Sequence, residues 1–389
     1  MTSTGKLVPF KNRGQLGLFA GGFDALAIDD RVRSALQAGA PVAFSLSGGK
    51  DSVSISYATS AYLDSIGHPR DRRVAIHADL GRIEWASTPA TVEAGAARLG
   101  VRLIVIRNRS FDMVSKWERR FELGCERYAG LLTYHLTAPW SSANNRFCTA
   151  EMKTQVILPE VLRQWPDRQI VSVVGIRRQE SPKRRLTPIS KPEGDRYRRA
   201  AGGNILTWHP GVDVLEEEVY TYISRHQLPL PESYGLGSTR HGCAFCVLAS
   251  ANDIGVAARA PGNRGVLFHL VDMEAKSSFS FQPNGWLGDV APELLPASLA
   301  ADLARGKALA AQRLQLEASL PANLRYVKGW PQRIPTLDEA ARIHSVRAEI
   351  LAVHGLQTPY ASAELVRDRI AELFHTERAK EAASLRVAA

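Results

Sequence analysis

Between residues 31 and 176 short β-branched runs alternate with helical periodicity, and this alternation limits the fold more than any other feature of the chain. The runs "PVAFSLS" (41–47), "RVAIHAD" (73–79), "RLIVIRN" (102–108) and "QIVSVVGI" (169–176) read as buried strands, with helices over 51–66 and 89–99. Strands separated by helices imply a parallel sheet covered on both faces. The predicted class is α/β with a doubly wound, mainly parallel sheet. Ligands of such sheets bind at the carboxyl ends of the strands. Three segments fall there: "SGGKDS", "HADLGRIEWAST" and "GIRRQES".

Residues 177–199 then carry nine basic residues against three acids, several prolines and no apolar periodicity, which predicts a mobile basic loop or lid running to about 203. Helical pattern returns at 215–226 and dominates beyond 260, with amphipathic stretches over 291–318 and 336–353; Thr336 and Glu339 have capping-box spacing. Three regions are expected: an N-terminal extension (1–40), a nucleotide domain (41–250) and a mostly helical C-terminal region (251–389). A chain of 389 residues with formal charge +10 favours polyanionic partners, whether nucleotide or nucleic acid. It shows no secretory pattern and no apolar run of spanning length, so a cytoplasmic protein without membrane contact is expected.

Ser47, Gly48, Gly49, Lys50, Asp51 and Ser52 lie where a strand turns into a helix, so backbone N–H groups and the positive helix end converge on one spot suited to phosphate. GxxxxGK[ST] is absent, so this is not a Walker A loop. Asp51 beside a phosphate would repel it unless a divalent cation intervenes, which implies a magnesium nucleotide. An ordinary strand-to-helix turn with a serine cap is the competing account.

"SGGKDS" after a buried strand resembles the PP-loop of ATP pyrophosphatases (adenine nucleotide alpha hydrolase-like fold), specifically the phosphoadenosine phosphosulfate reductase-like branch. "DLGRIEWAST" (79–88), "GIRRQES" (175–181) and "LEEEVYTYISRHQLPLPESYGLGSTRHGCAFC" (215–246) are similar to later segments of that family, in the same order. The resemblance implies ATP cleavage between the α and β phosphates. It implies a nucleotide site of Ser47, Gly48, Gly49, Lys50, Asp51, Ser52, Asp79, Gly175 and Arg177, in which Lys50, Asp51 and Arg177 are catalytic and Asp51 or Asp79 holds Mg2+. Arg177 offers a permanently charged fork for a phosphate oxygen. Asp79 at a strand end could equally cap the following turn, and Glu84 and Trp85 could serve helix-entry packing.

Cys243 and Cys246 form a Cys-x-x-Cys pair, and Cys148 and Cys125 complete a possible set of four. Four thiolates suit a 4Fe-4S cluster or a structural zinc; a thiol-disulfide pair is a third account, and Cys125 could be a buried free thiol. Reductases of this family that carry a cluster use an adjacent Cys-Cys pair and a catalytic cysteine near the C-terminus. This chain has a single Cys148 and no cysteine after Cys246. "RFCTAEMKT" (146–154) instead resembles the Cys-Thr-x-x-x-Lys arrangement of the DNA phosphorothioation ATP pyrophosphatases, which are associated with an iron-sulfur cluster and work with a cysteine desulfurase. That resemblance implies activation of an oxygen for replacement by sulfur, with nucleic acid, DNA first, as partner and Lys153 near a phosphate. Reduction of a sulfonucleotide and a non-catalytic nucleotide-binding scaffold are the alternatives, and homo-oligomerisation is left open.

Overall fold

The computed structural model describes residues 26–133, 135–283, 285–324 and 331–388. They form two compact units. One joins the described residues up to Met113 with Ala143–Asn263; the other joins Val114–Ser142 with the residues from Arg264 onward.

The first unit is built on six strands: β1 (Val42–Ser45), β2 (Arg73–Asp79), β3 (Arg102–Arg107), β4 (Gln169–Val174), β5 (Ser190–Pro192) and β6 (Asn204–Trp208). Their order is β3-β2-β1-β4-β6-β5, with every pairing parallel except the antiparallel β5–β6 edge. This is the expected doubly wound α/β architecture. The strand pleat sorts side chains between two cores. Val42, Phe44, Ala75, Val171 and Val173 face the helices Asp30–Gln37, Lys50–Ser65, Thr88–Leu99 and Glu216–His226. Ala43, Val74, Ile76 and Ile170 face Leu158, Val161 and Leu162 of the helix Gln155–Gln164. Each large side chain sealed in this way contributes about 1.5–3 kcal/mol relative to exposure. Burial on both faces is why the strands read as continuous apolar runs.

Three expectations need correction. Residues 26–40 are part of the α/β unit rather than an extension: Leu26, Ile28, Val32 and Leu36 are buried in its core, and the indole of Trp208 donates to the Ala27 carbonyl at 2.7 Å. Residues 1–25 of that extension lie outside the described residues. The basic segment 177–203 is not a free loop. It contains three 3-10 turns and β5, which hydrogen-bonds to β6. An edge position tolerates the proline and lysine that hid this strand. Finally, the helical unit begins at 264 rather than 251 and recruits 114–142 from within the α/β sequence.

That helical unit contains Arg264–Ser277, Ala297–Ser319, Leu337–Val353 and Ala363–Ala388, with most of Met113–Ala129. Thr336 and Glu339 form the expected capping box. Glu274 is fully buried, and its carboxylate accepts from the backbone N–H groups of Phe281 (2.7 Å), Leu287 (2.8 Å) and Gly288 (3.1 Å). Burial outweighs those three donors and pushes its pKa from the ordinary 4.5 up to about 7. A raised carboxyl pKa gives a stability contribution that is complete below pH 4.5 and lost as pH rises through 7. Up to about 3 kcal/mol is expected to disappear across that window. Denaturant melts of the wild type and Glu274→Gln at several pH values test this, since the glutamine variant should lack the slope. Among the described residues no helix is long and apolar enough to cross a membrane.

Candidate active site

The strand order reverses beside β1, whose neighbours are β2 and β4. Loops leaving β1 and β4 therefore diverge to opposite sides and leave a crevice between them. The segment Ser47–Ser52 and the segment Gly175–Arg177 meet there. Gly48 has φ +79°, a left-handed conformation that favours glycine. Gly175 is required for a different reason: a Cβ on it would lie 2.9 Å from both the Asp51 carbonyl oxygen and the Ser52 Cα. The end of β4 thus packs directly on the first turn of the helix Lys50–Ser65. Gly49 offers no capping side chain to that helix, and although the Tyr234 hydroxyl takes the Lys50 N–H, the rest of its positive end can face an anion. The Ser52 hydroxyl sets the loop by donating to the Gly49 carbonyl (2.9 Å) and accepting from the Ser47 N–H (3.2 Å).

The crevice is a cavity of about 710 Å3, lined by Ser47, Gly49, Lys50, Asp51, Ser52, Gly175 and Arg177 among others; a volume in this range is usual for a small-molecule site. Lys50 and Arg177 are each only 3% exposed. Arg177 Nε donates to Asp51 Oδ1 at 2.5 Å, and Lys50 Nζ lies 3.4 Å from Asp51 Oδ2 and 3.0 Å from Glu216 Oε1. Burial pulls the Lys50 pKa down, but Asp51, Tyr234 and Glu216 outweigh it and leave it above its ordinary value, so the ammonium is charged. This geometry changes the inference about Asp51. Its carboxylate is bracketed by two buried cations, so its repulsion of a phosphate is already offset and does not by itself require a metal.

Asp79 does not line the cavity. Its Oδ1 accepts from the Gly81 N–H at 2.7 Å and its Oδ2 pairs with Arg107, the turn-capping role that competed with nucleotide binding. Glu84 does line the cavity, with Oε2 3.3 Å from His77 Nε2. Burial lowers the His77 pKa, but Glu84, with the Leu46 carbonyl and Asp79, outweighs it and raises it overall. Trp85 is buried packing. Lys153 lines the cavity from the π-helical turn Ala150–Thr154.

Sequence reading singled out neither Tyr234 nor His241, although both lie in the segment 215–246 that carries the resemblance. The Tyr234 hydroxyl accepts from the Lys50 N–H (3.3 Å) and the His241 N–H (3.2 Å), tying the Cys-x-x-Cys segment to the loop Ser47–Ser52. His241 Nδ1 lies 3.0 Å from Ser233 Oγ and Nε2 3.4 Å from Thr88 Oγ1. Burial, reinforced by Lys153 and His77, lowers its pKa to about 4, so it is neutral at pH 7. Side chains from distant elements assemble this wall, and no local spacing announces it.

Three cysteines of the expected four share one neighbourhood. Burial pushes the Cys243 thiol pKa up, and the charges of Cys246 and Cys148 add to that shift while Lys153 opposes it. Cys125 belongs to the core of the helical unit, beside Tyr128, Leu131 and Ile343, where burial pushes its thiol up to about 11. It is the buried free thiol of the alternatives and not a fourth ligand. Among the described residues no group of three or more histidine, cysteine or acidic side chains is arranged to hold a metal ion. As placed, the cysteines do not fit a four-thiolate cluster.

Residues 41–249 match the profile of the phosphoadenosine phosphosulfate reductase domain. No curated protein matches the chain. Among solved structures, phosphoadenylyl-sulfate (PAPS) reductase from Candida auris, in a phosphate complex, is similar at 17% identity with a TM-score of 0.34, covering 55% of this chain and 85% of that one. FMN adenylyltransferase from Candida glabrata, in complex with FAD and inorganic pyrophosphate, is similar at 15% identity with a TM-score of 0.31. That likeness covers 52% of this chain and only about half, 53%, of the transferase. Likenesses of this size carry no weight, whereas the profile match spans more than half of the chain and includes every loop of the crevice. The chain belongs to the phosphoadenosine phosphosulfate reductase domain family.

Proposed function

We propose that this protein is an ATP pyrophosphatase that splits Mg-ATP into AMP and pyrophosphate and uses the adenylate to activate an oxygen for replacement by sulfur. The observation that carries the reading is the buried Lys50–Asp51–Arg177 arrangement at the open end of the phosphate-loop helix. Charge accumulates on the leaving pyrophosphate as the α–β bond breaks, and preorganised cations in a dry site stabilise it most effectively. Lys50 and Arg177 are held for that purpose by Asp51, while the loop N–H groups orient the phosphates. Magnesium enters with the nucleotide as part of the substrate. The acceptor we favour is nucleic acid, DNA first, because the chain's formal charge of +10 and the basic segment 177–203 beside the cavity suit a phosphate backbone. Sulfur would come from a cysteine desulfurase, in a DNA phosphorothioation or related thiolation reaction in the cytoplasm. An iron-sulfur cluster at the Cys148, Cys243 and Cys246 corner would need these thiols to rearrange and a fourth ligand from elsewhere, because as arranged they do not complete a ligand set.

Incubation with Mg-ATP, DNA and a desulfurase with cysteine should release pyrophosphate and AMP in equal amounts. Production of ADP and phosphate instead, or no turnover with DNA, RNA or any acceptor, would sink the proposal, and the second of these outcomes favours a nucleotide-binding scaffold. One observation supports a second reading: Cys243 lines the cavity, as a thiol acting on a sulfonucleotide would. Sulfite released from a sulfonucleotide and a thiol donor, without ATP consumption, would establish that alternative.

A further inference from the structure

Four charged side chains meet at the phosphate end of the cavity, and they balance: Lys50 and Arg177 against Asp51 and Glu216. The two acids are held very differently. Asp51 has a side chain 19% exposed and takes a 2.5 Å hydrogen bond from Arg177. Glu216 has a side chain 49% exposed; its Oε1 lies 3.0 Å from Lys50 Nζ and 3.9 Å from Arg177 Nη2. Its backbone is fixed, because the Glu216 N–H donates to Gln179 Oε1 (2.8 Å), the same oxygen that accepts from Arg177 Nη1 (2.8 Å). The side chain is thus a solvent-reachable carboxylate on an anchored hinge, placed where one anionic oxygen touches both buried cations.

A polyphosphate approaching this quartet meets no net charge until one acid leaves. Glu216 is the one that can leave, since its carboxylate regains water while Asp51 would abandon a buried arginine. We propose that Glu216 is a resident counter-anion that the phosphates of the nucleotide displace from Lys50 and Arg177, and that reclaims them as pyrophosphate departs. The inference rests on the nucleotide-site reading above and deepens it. It also names the ligand class: groups with two or more linked phosphates can supply both cations at once, whereas a single phosphate must compete with a tethered carboxylate at high effective concentration. The adjacent acids Glu217 and Glu218 occupy the same first helical turn, where they favour the helix dipole. Neither lines the cavity, so helix stabilisation alone does not account for the position of Glu216.

The test is calorimetric titration of the full chain with inorganic pyrophosphate, in EDTA so that no metal-ligand role intervenes, using wild type, Glu216→Gln and Glu217→Gln. Removing the competing charge should tighten pyrophosphate binding about tenfold in Glu216→Gln, as expected for relief of roughly one charge-assisted contact, and slow its dissociation. Glu217→Gln, which changes the same net charge, should bind as wild type does. Unchanged or weaker binding in Glu216→Gln overturns the proposal, as does absence of pyrophosphate binding by every variant. ATP turnover is read separately. Glu216-dependent pyrophosphate affinity without turnover leaves the counter-anion standing and sinks the pyrophosphatase reading; turnover with an affinity indifferent to Glu216 does the reverse.

Discussion

Asp51→Ala is expected to abolish pyrophosphate release and to lower the stability of the α/β unit by about 3 kcal/mol. Both effects have one cause. Arg177 is 3% exposed and its Nε is satisfied by Asp51 Oδ1 at 2.5 Å. Truncating the carboxylate leaves a buried guanidinium short of its counter-charge, the costly way to break a buried pair. It also releases Arg177 and Lys50 from the orientation in which they would meet the leaving phosphates. Asp51→Asn separates the two roles: it keeps a hydrogen-bond acceptor for Arg177 and should fold with a smaller penalty, yet still lose turnover. Denaturant midpoints and pyrophosphate release measured on both variants check this. Full activity in Asp51→Asn would show that the charge of Asp51 has no part in catalysis.

Gly175→Ala should be nearly as damaging, although it removes no functional group. The added Cβ would sit 2.9 Å from the Asp51 carbonyl oxygen and the Ser52 Cα and 3.0 Å from the Asp51 carbonyl carbon. These are backbone atoms of the first turn of the helix Lys50–Ser65, so the clash is relieved only by moving that turn, and the loop Ser47–Gly49 before it, away from β4. Overpacking of this kind costs about 1–3 kcal/mol. A displacement near 1 Å in a preorganised site costs about 100-fold in rate. We therefore expect a stable but nearly inactive protein, read from thermal melting alongside ATP turnover. Wild-type turnover in Gly175→Ala would mean that β4 does not hold the loop in its working position.

Where the loops of the crevice lie could largely be read in advance. The strand-turn-helix reading of 41–66 located Ser47–Ser52, because a β-branched run, two glycines and a helical pattern are local features with local causes. Gly175 and Arg177 were legible for the same reason, at the end of β4. Asp79 was ambiguous, and the ambiguity was physical: a carboxylate at a strand end can face a ligand or cap its own turn, and here it bonds to the Gly81 N–H. Cys125 was misgrouped with the other cysteines because counting residues does not reveal which core encloses them.

The sequence by itself determined the α/β class, the position of the glycine loop Ser47–Ser52 and the family, since these follow from periodicity and from short motifs whose residues are neighbours in the chain. Only the tertiary structure decided what surrounds the loop. Tyr234 and His241 reach it from about 190 residues downstream, as do Arg177 and Glu216 from their own elements. The charge balance on Lys50 exists only once those elements pack together, because a Coulomb partner is selected by distance in space and not by separation along the chain.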